Sequence, residues 1–491
     1  MPSTTTLAPT ALVIFGITGD LAQRKLLPAL RHLMEDRLLP EDFHIIGVSR
    51  REVSKNSVLQ SVRSTCQESC DLAGLTALDQ LEQSLTMFQL DMEELEGYQK
   101  LKTKLDDLER AAGHCLQRLY YLAIPPAAFG QAVELLGKAG LNAGCSHGKG
   151  ESRLLVEKPF GYDLASAKEL LQDTTRYFNE EQIFRIDHYL AKETVQNILA
   201  FRFENFLIEG VWHRNFIDHI QITASETLGI EGRISFYEQT GALRDIIQSH
   251  LLQLTAITLM ERPEDMSAQS IHKAKLDLLS SIQRIQPDQV ESVTARGQYA
   301  GYLEDIGKHQ SSTETFAALK LEVNNDRWQG VPILLRAGKG LEEKVTEITV
   351  VFKSNSPHPA GQPNNLTIRI QPNEGIALDL LAKKPGFDNA LQAVQMAFCY
   401  RNLMSDLHPD AYERVIIDAM KGDLTLFPSG SEILATWELL EPVLQQWGNS
   451  DQPPEVYPIG SWGPTSADRL AASIGATWLS QHIQVCSVHT I

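Results

Sequence analysis

The sequence predicts an α/β amino-terminal domain built on a parallel sheet, followed by a larger α+β domain with a mainly antiparallel sheet. Three observations carry this. Through roughly the first third, short apolar β-rich runs alternate with longer helical patterns, as in successive βαβ units. A glycine-punctuated turn follows the first of these runs and opens the first helical pattern. Beyond residue 186 the alternation stops, and strand-like runs follow one another without a helix between each pair.

In the amino-terminal part, strands are expected at 11–15, 43–48, 84–90, 117–123 and 153–157, with helical patterns at 21–34 and 95–112. In the second part, strands are expected at 217–223, 315–323, 346–352 and 366–370. The expected domains are 1–186 and 187–491, abutting directly, because no repeat or low-complexity linker separates them.

Composition narrows the class of partner. Hydrophobic residues make up 43% of the 491 and charged residues 22%, values close to those of ordinary globular proteins. Asp and Glu outnumber Lys and Arg by 62 to 44, and a net charge of -18 repels nucleic acid and anionic membrane surfaces. An anionic substrate therefore needs a local cluster of basic side chains. The six cysteines (Cys66, Cys70, Cys115, Cys145, Cys399 and Cys486) form no C-x-x-C pair and no set with zinc spacing, so reduced thiols and no metal are expected. The first residues, MPSTTTLAPT, carry no basic region ahead of an apolar run, and no run approaches the roughly 18 residues that span a bilayer. A cytoplasmic location is the expectation.

The run Leu12-Val13-Ile14-Phe15-Gly16-Ile17-Thr18-Gly19-Asp20-Leu21 reads as strand, glycine turn and helix start. Small residues let backbone N–H groups approach a pyrophosphate, and a helix amino terminus adds partial positive charge there. Residues 16–21 are thus candidates to hold a dinucleotide on a Rossmann-like sheet, with Asp20 as a helix cap. The spacing is G-x-x-G, shorter than the full G-x-G-x-x-G, and a plain tight βα turn would read the same way. After the second strand comes Ser49-Arg50-Arg51, where an acid would favour NAD. A guanidinium at Arg50 suits a 2'-phosphate, so NADP is expected, with NAD as the weaker alternative.

Three further segments, Glu157-Lys158-Pro159-Phe160-Gly161, Arg185-Ile186-Asp187-His188-Tyr189-Leu190-Ala191-Lys192-Glu193 and Arg244-Asp245-Ile246-Ile247-Gln248-Ser249-His250, join the G-x-x-G-D-L-x-x-R-K-L start. Together they closely resemble the glucose-6-phosphate dehydrogenase family. The resemblance runs on through Arg336-Ala337-Gly338-Lys339 and Lys383-Lys384-Pro385-Gly386 to Gly460-Ser461-Trp462-Gly463-Pro464. Another NADP-dependent sugar oxidoreductase, of the glucose-fructose oxidoreductase group, would also carry E-K-P, but it does not account for R-I-D-H-Y-L. A silent NADP-sensing protein on the same fold is opposed by the presence of Asp187, His250 and Lys158.

The resemblance implies oxidation of D-glucose 6-phosphate at C1 to the 6-phosphogluconolactone, with hydride transfer to NADP, as the first step of the oxidative pentose phosphate pathway. His188 and Lys192, four apart, would share a helix face and, with Tyr189, offer donors to a phosphate, the role the family gives them. His250 is the expected base for the C1 hydroxyl. Asp245 lies five residues away, about 140° round an α-helix, so Asp187 is the better partner for the imidazole, as the family also implies. Asp245 and Glu226 are left to accept hydrogen bonds from sugar hydroxyls. The resemblance gives Lys158 a bridging position between substrate and nicotinamide and a cis bond to Pro159, and it adds Tyr121 to the cofactor contacts. Lys25, Lys339 and Lys344 complete the expected basic lining, although Lys344, after Glu342 and Glu343, reads equally as solvated charge.

Two positions depart from the family. Ala191 stands where Gly is usual, and Val345 stands where vertebrate members have a lysine used by a second, structural NADP, which tells against that second site despite Arg336 and Arg369. The family forms dimers and tetramers through its large sheet, so a homodimer or homotetramer is expected.

Overall fold

The computed structural model describes residues 7–145, 150–354, 364–400 and 410–479. They fall into two compact units, the first within 1–161, 165–191 and 408–430, the second within 162–164, 192–407 and 431–491. The two expected domains imply one cut after residue 186. In the structure the chain instead returns to the first unit at 408–430.

The first unit is built on β1 (Thr10–Phe15), β2 (Phe43–Ser49), β3 (Leu85–Gln89), β4 (Gln117–Leu122), β5 (Ser152–Val156) and β6 (Ile183–Arg185). All pair in parallel, in the order β3-β2-β1-β4-β5-β6. This is the Rossmann-like order. Every residue of β1, β4 and β5 is buried, as a parallel strand covered on both faces requires. Leu12, Ile14, Leu26, Leu30 and Leu119 share one core with Val415, Ile416 and Ala419 from the helix Ala411–Lys421. Asp410 and Glu413 form a capping box at that helix's start. At its other end Arg153 donates to the carbonyls of Ala419 and Met420. β6, three residues long, was too short for a sequence period to reveal.

The second unit carries β7 (Ile217–Ser225), β8 (Thr294–Tyr299), β9 (Phe316–Leu321), β10 (Ile333–Gly338), β11 (Val345–Phe352), β12 (Asn365–Gln371), β13 (Gly375–Lys383), β14 (Leu391–Cys399) and β15 (Glu455–Tyr457). They form one sheet, β14-β13-β12-β11-β7-β10-β9-β8-β15. The pairs β7/β10 and β8/β15 are parallel and the rest antiparallel. The mainly antiparallel expectation is correct. The central β7/β10 pair is its exception, and it matters below.

The expectation of reduced thiols is not met. Cys66 is joined to Cys70 and Cys115 to Cys145, with Cα separations of 4.7 and 5.6 Å. Cys399 is also oxidised, and Cys486 lies outside the described residues. No pairing motif marks either disulfide: Cys66 and Cys70 are four apart, and Cys115 and Cys145 meet only once the approaches to β4 and β5 lie side by side. Among the described residues, no helix is long and apolar enough to cross a membrane, and no cluster of His, Cys, Asp or Glu is arranged to hold a metal ion.

In the second unit, Glu432 is buried between Lys275, 2.7 Å away, and His272, 2.6 Å away. Burial pushes its carboxyl up, but the Lys275 charge and the His272 contact outweigh burial and hold it at about 2. A folded pKa below the unfolded one stabilises above roughly pH 4.5, and that contribution fades as pH falls toward 2. Glu432→Gln is expected to cost about 3–5 kcal/mol at pH 7, since it leaves the Lys275 charge buried without its partner. Thermal unfolding at pH 7 and pH 2.5 checks this, because the deficit must shrink at the lower pH. For the disulfides, Cys66, Cys70, Cys115 and Cys145 are expected to resist iodoacetamide until dithiothreitol is added. Mass spectrometry showing all four alkylated without reductant refutes the pairing.

Candidate active site

The carboxyl edge of the parallel sheet gathers most of the residues singled out in the first unit. Gly16, directly after β1, has φ +78°, and a Cβ there would lie 2.3 Å from the Ala123 carbonyl oxygen. Only glycine fits. The Gly19 N–H donates to the Gly16 carbonyl at 2.9 Å, and the Gly19 carbonyl accepts from Gln23 at 3.1 Å, so the turn passes straight into the helix. Ile17 is buried, Leu21 is half-buried and Thr18 is exposed. Asp20 does not act as the expected cap. It is already helical, exposed, and 3.7 Å from Arg24 one turn on. The residues fit a dinucleotide: a turn opened and closed by glycine, followed by a helix amino terminus.

Arg50 directly follows β2 and is exposed, with no ion pair among the described residues. Lys25 is exposed on the first helix. Lys158 is half-buried after β5, and its bond to Pro159 is cis, as expected. Tyr121 departs from expectation. It is wholly buried, offers no surface to a cofactor, and donates its hydroxyl to Glu157 Oε1 at 2.5 Å. Burial and then the Glu157 charge raise the Tyr121 phenol well above its usual range, so it stays a donor.

After β6 the chain turns instead of continuing as a helix. The Ala191 N–H reaches the Asp187 carbonyl at 3.3 Å, Asp187 Oδ1 accepts from the Tyr189 N–H at 2.8 Å, and the next helix is Glu193–Phe203. Lys192 caps that helix with extended backbone. The shared helix face expected for His188 and Lys192 is therefore absent, because a single turn interrupts the period. Asp187 is buried, while His188 and Tyr189 are half-buried. His188 Nε2 lies 3.2 Å from Glu157 Oε2, and its ring rests on Tyr412 at 4.3 Å between centroids. Tyr412 comes from the returning segment, which no local motif links to this edge. Ala191 is buried in the hydrophobic core of this unit.

In the second unit, the parallel β7/β10 pair ends in register at Ser225 and Gly338, so the next residues, Glu226 and Lys339, emerge side by side. Their side chains form an ion pair, and Lys339 is buried, its Nζ 5.4 Å from the Tyr237 ring centroid. Lys344 is exposed. His250 and Asp245 lie on Leu243–Leu251, which is wound as a π-helix. This overturns the α-helical angle of about 140°: an i→i+5 winding sets residues five apart close to one turn apart. His250 is buried and Asp245 half-buried. Glu314, missed in the sequence, accepts the Leu243 N–H at 2.9 Å and so holds the start of this run. Its carboxyl is fully buried and raised by that burial. A Thr-Glu-Thr stretch ahead of a strand gave no signal of this.

The two arginines considered for a second nucleotide are both engaged. Arg336 is sandwiched between Trp462 and Trp478, 4.6 Å from each ring centroid, and bonds Thr223 Oγ1. Arg369 pairs with Glu347 at 2.9 Å. Val345 is buried.

A Rossmann-like sheet with a glycine-bounded turn in one unit, and in the other a large mixed sheet presenting acid, base and ammonium groups, define a nicotinamide-dinucleotide oxidoreductase of the two-unit type. The family model "Glucose-6-phosphate dehydrogenase, NAD binding domain" matches residues 13–197, and "Glucose-6-phosphate dehydrogenase, C-terminal domain" matches 199–479. The chain belongs to the glucose-6-phosphate dehydrogenase family. It is 41% identical over 497 residues to the glucose-6-phosphate 1-dehydrogenase of Chlamydia pneumoniae, covering 96% of each chain. It is also 41% identical over 482 residues to that of Aggregatibacter actinomycetemcomitans, covering 95% of this chain and 96% of the relative. A solved glucose-6-phosphate dehydrogenase in complex with its substrate glucose-6-phosphate aligns at TM-score 0.89 and 33% identity, covering 97% of this chain and 100% of that one.

Proposed function

We propose that the protein oxidises D-glucose 6-phosphate at C1 to 6-phospho-D-glucono-1,5-lactone with NADP as hydride acceptor, generating NADPH at the entry to the oxidative pentose phosphate pathway. One observation carries the reading: the likeness, over nearly the whole chain, to a dehydrogenase solved with glucose 6-phosphate. His250 takes the proton from the C1 hydroxyl, and Asp187 orients the imidazole and balances the charge it gains. Bound NADP supplies the hydride acceptor. Gly16, Ile17, Thr18, Gly19, Asp20 and Leu21 receive its pyrophosphate, and Arg50 its 2'-phosphate. Tyr121, being buried, makes no direct contact with the cofactor.

His188, Tyr189 and Lys192 receive the sugar's phosphate. Glu226 and Asp245 accept hydrogen bonds from its hydroxyls, and Lys158 bridges sugar and nicotinamide. Lys25, Lys339 and Lys344 supply the surrounding positive potential against a chain of net charge -18. The buried ion pair gives Lys339 a fixed position, whereas exposed Lys344 contributes charge without one. Sugar phosphate and NADP are cytoplasmic metabolites, which supports that location, although disulfides are uncommon there. A homodimer or homotetramer through the large sheet is supported by the β13–β14 hairpin, where Phe387, Leu391 and Met396 are exposed.

His250→Asn is expected to lower kcat at least about 100-fold with little change in the KM for glucose 6-phosphate, the usual scale for loss of a general base. Reduced-nicotinamide absorbance measures it, and near-normal turnover removes His250 from the role. Arg50→Ala is expected to raise the KM for NADP roughly 10–100-fold and that for NAD less than about 3-fold, because only NADP presents the 2'-phosphate. Equal losses would show that Arg50 reads another part of the cofactor.

A further inference from the structure

His188 is held on two sides by residues of its own unit. Glu157 Oε2 meets its Nε2 at 3.2 Å, and the Tyr412 ring covers one face at 4.3 Å. Glu157 is itself fixed, since the buried Tyr121 hydroxyl donates to Oε1 at 2.5 Å. The carboxylate therefore accepts at both oxygens, which fixes the proton of His188 on Nε2. Nδ1 is buried and has no hydrogen-bond partner among the described residues, an orphaned polar atom that a ligand oxygen would satisfy. The ring is thus oriented at one nitrogen and uncommitted at the other.

We propose that Glu157 is a positioning residue that sets His188 for the sugar's phosphate and so favours phosphorylated over free sugars. The inference rests on the reading of His188 as a phosphate ligand. With the carboxylate on Nε2, Nδ1 is the nitrogen left to meet a phosphate oxygen, and the charge of the phosphate strengthens that contact. Glutamine cannot replace Glu157. Its single amide oxygen can face Tyr121 or His188 but not both, and its NH2 facing Nε2 would demand an acceptor there. The Glu of the E-K-P segment thus acts through His188, while its neighbour Lys158 has a separate role.

The test compares kcat/KM for glucose 6-phosphate and for free glucose in the wild type, Glu157→Gln, His188→Asn and the double variant. Glu157→Gln is expected to lower kcat/KM for glucose 6-phosphate roughly 10-fold or more, mainly through KM, and to leave that for glucose within about 2-fold. The double variant is expected to match His188→Asn, because the two residues act as one unit. Equal losses on both sugars overturn the inference, since support of the fold or of the chemical step would affect any sugar. If His188→Asn lowers the preference for the phosphorylated sugar and Glu157→Gln does not, the inference fails alone. If His188→Asn leaves the preference intact, the phosphate assignment itself falls. Should Glu157→Gln not fold, Glu157→Asp keeps the charge but shortens its reach, and the same selective loss is expected, with an equal loss on both sugars again overturning the inference.

Discussion

Parallel pairing of β1, β2, β4, β5 and β6 forces every strand of that sheet to end on one edge, and the first unit's chemistry depends on this. Gly16, Arg50, Glu157, Lys158 and Asp187 are far apart in sequence, yet each follows a strand end within a few residues. The helices that return the chain between strands cover both faces, so the strands are apolar throughout and polar side chains collect at the rim. A shift of one residue in a strand would turn every side chain beyond it to the opposite face. The wholly buried β1, β4 and β5 hold the register that keeps these groups at the edge.

The second unit uses the same device once within an otherwise antiparallel sheet. β7 and β10 run parallel, so Glu226 and Lys339 leave the sheet together and pair. Next to them, the π-wound run 243–251 carries Asp245 and His250 at a spacing an α-helix would separate. Its start is held by the buried Glu314 carboxylate. In both units a buried side chain fixes one of these groups, Tyr121 holding Glu157 and Glu314 holding the start of the π-wound run.

The fold class and most strands of the first unit were legible because apolar period and turn residues are local. β1, β2, β4 and the helix Leu95–Ala112 lie within a residue or two of expectation. β6, β8, β10, β13, β14 and β15 were not legible. β6 and β15 are three residues long, and β13 and β14 form a hairpin whose outer strand is largely exposed and gives a weak apolar signal. Sequence reasoning failed where it assumed α geometry, at Asp245/His250 and at His188/Lys192, because spacing reports a face only when the helix type is known. It also failed at Tyr121 and at Cys115 and Cys145, whose partners come from distant segments, and at Cys66 and Cys70, which are four apart but carry no pairing motif.

By itself, the sequence determined the order of βαβ units, the glycine turn, the basic residue after β2 and the motifs that mark the family, since each is set by neighbours along the chain. The tertiary structure decided what those residues touch. Burial gave the Tyr121 hydroxyl to Glu157, the returning helix laid Tyr412 on His188, and strand adjacency joined Cys115 to Cys145 and Glu226 to Lys339. Such pairings depend on packing between segments that no local period connects, so they exist only once the core has closed.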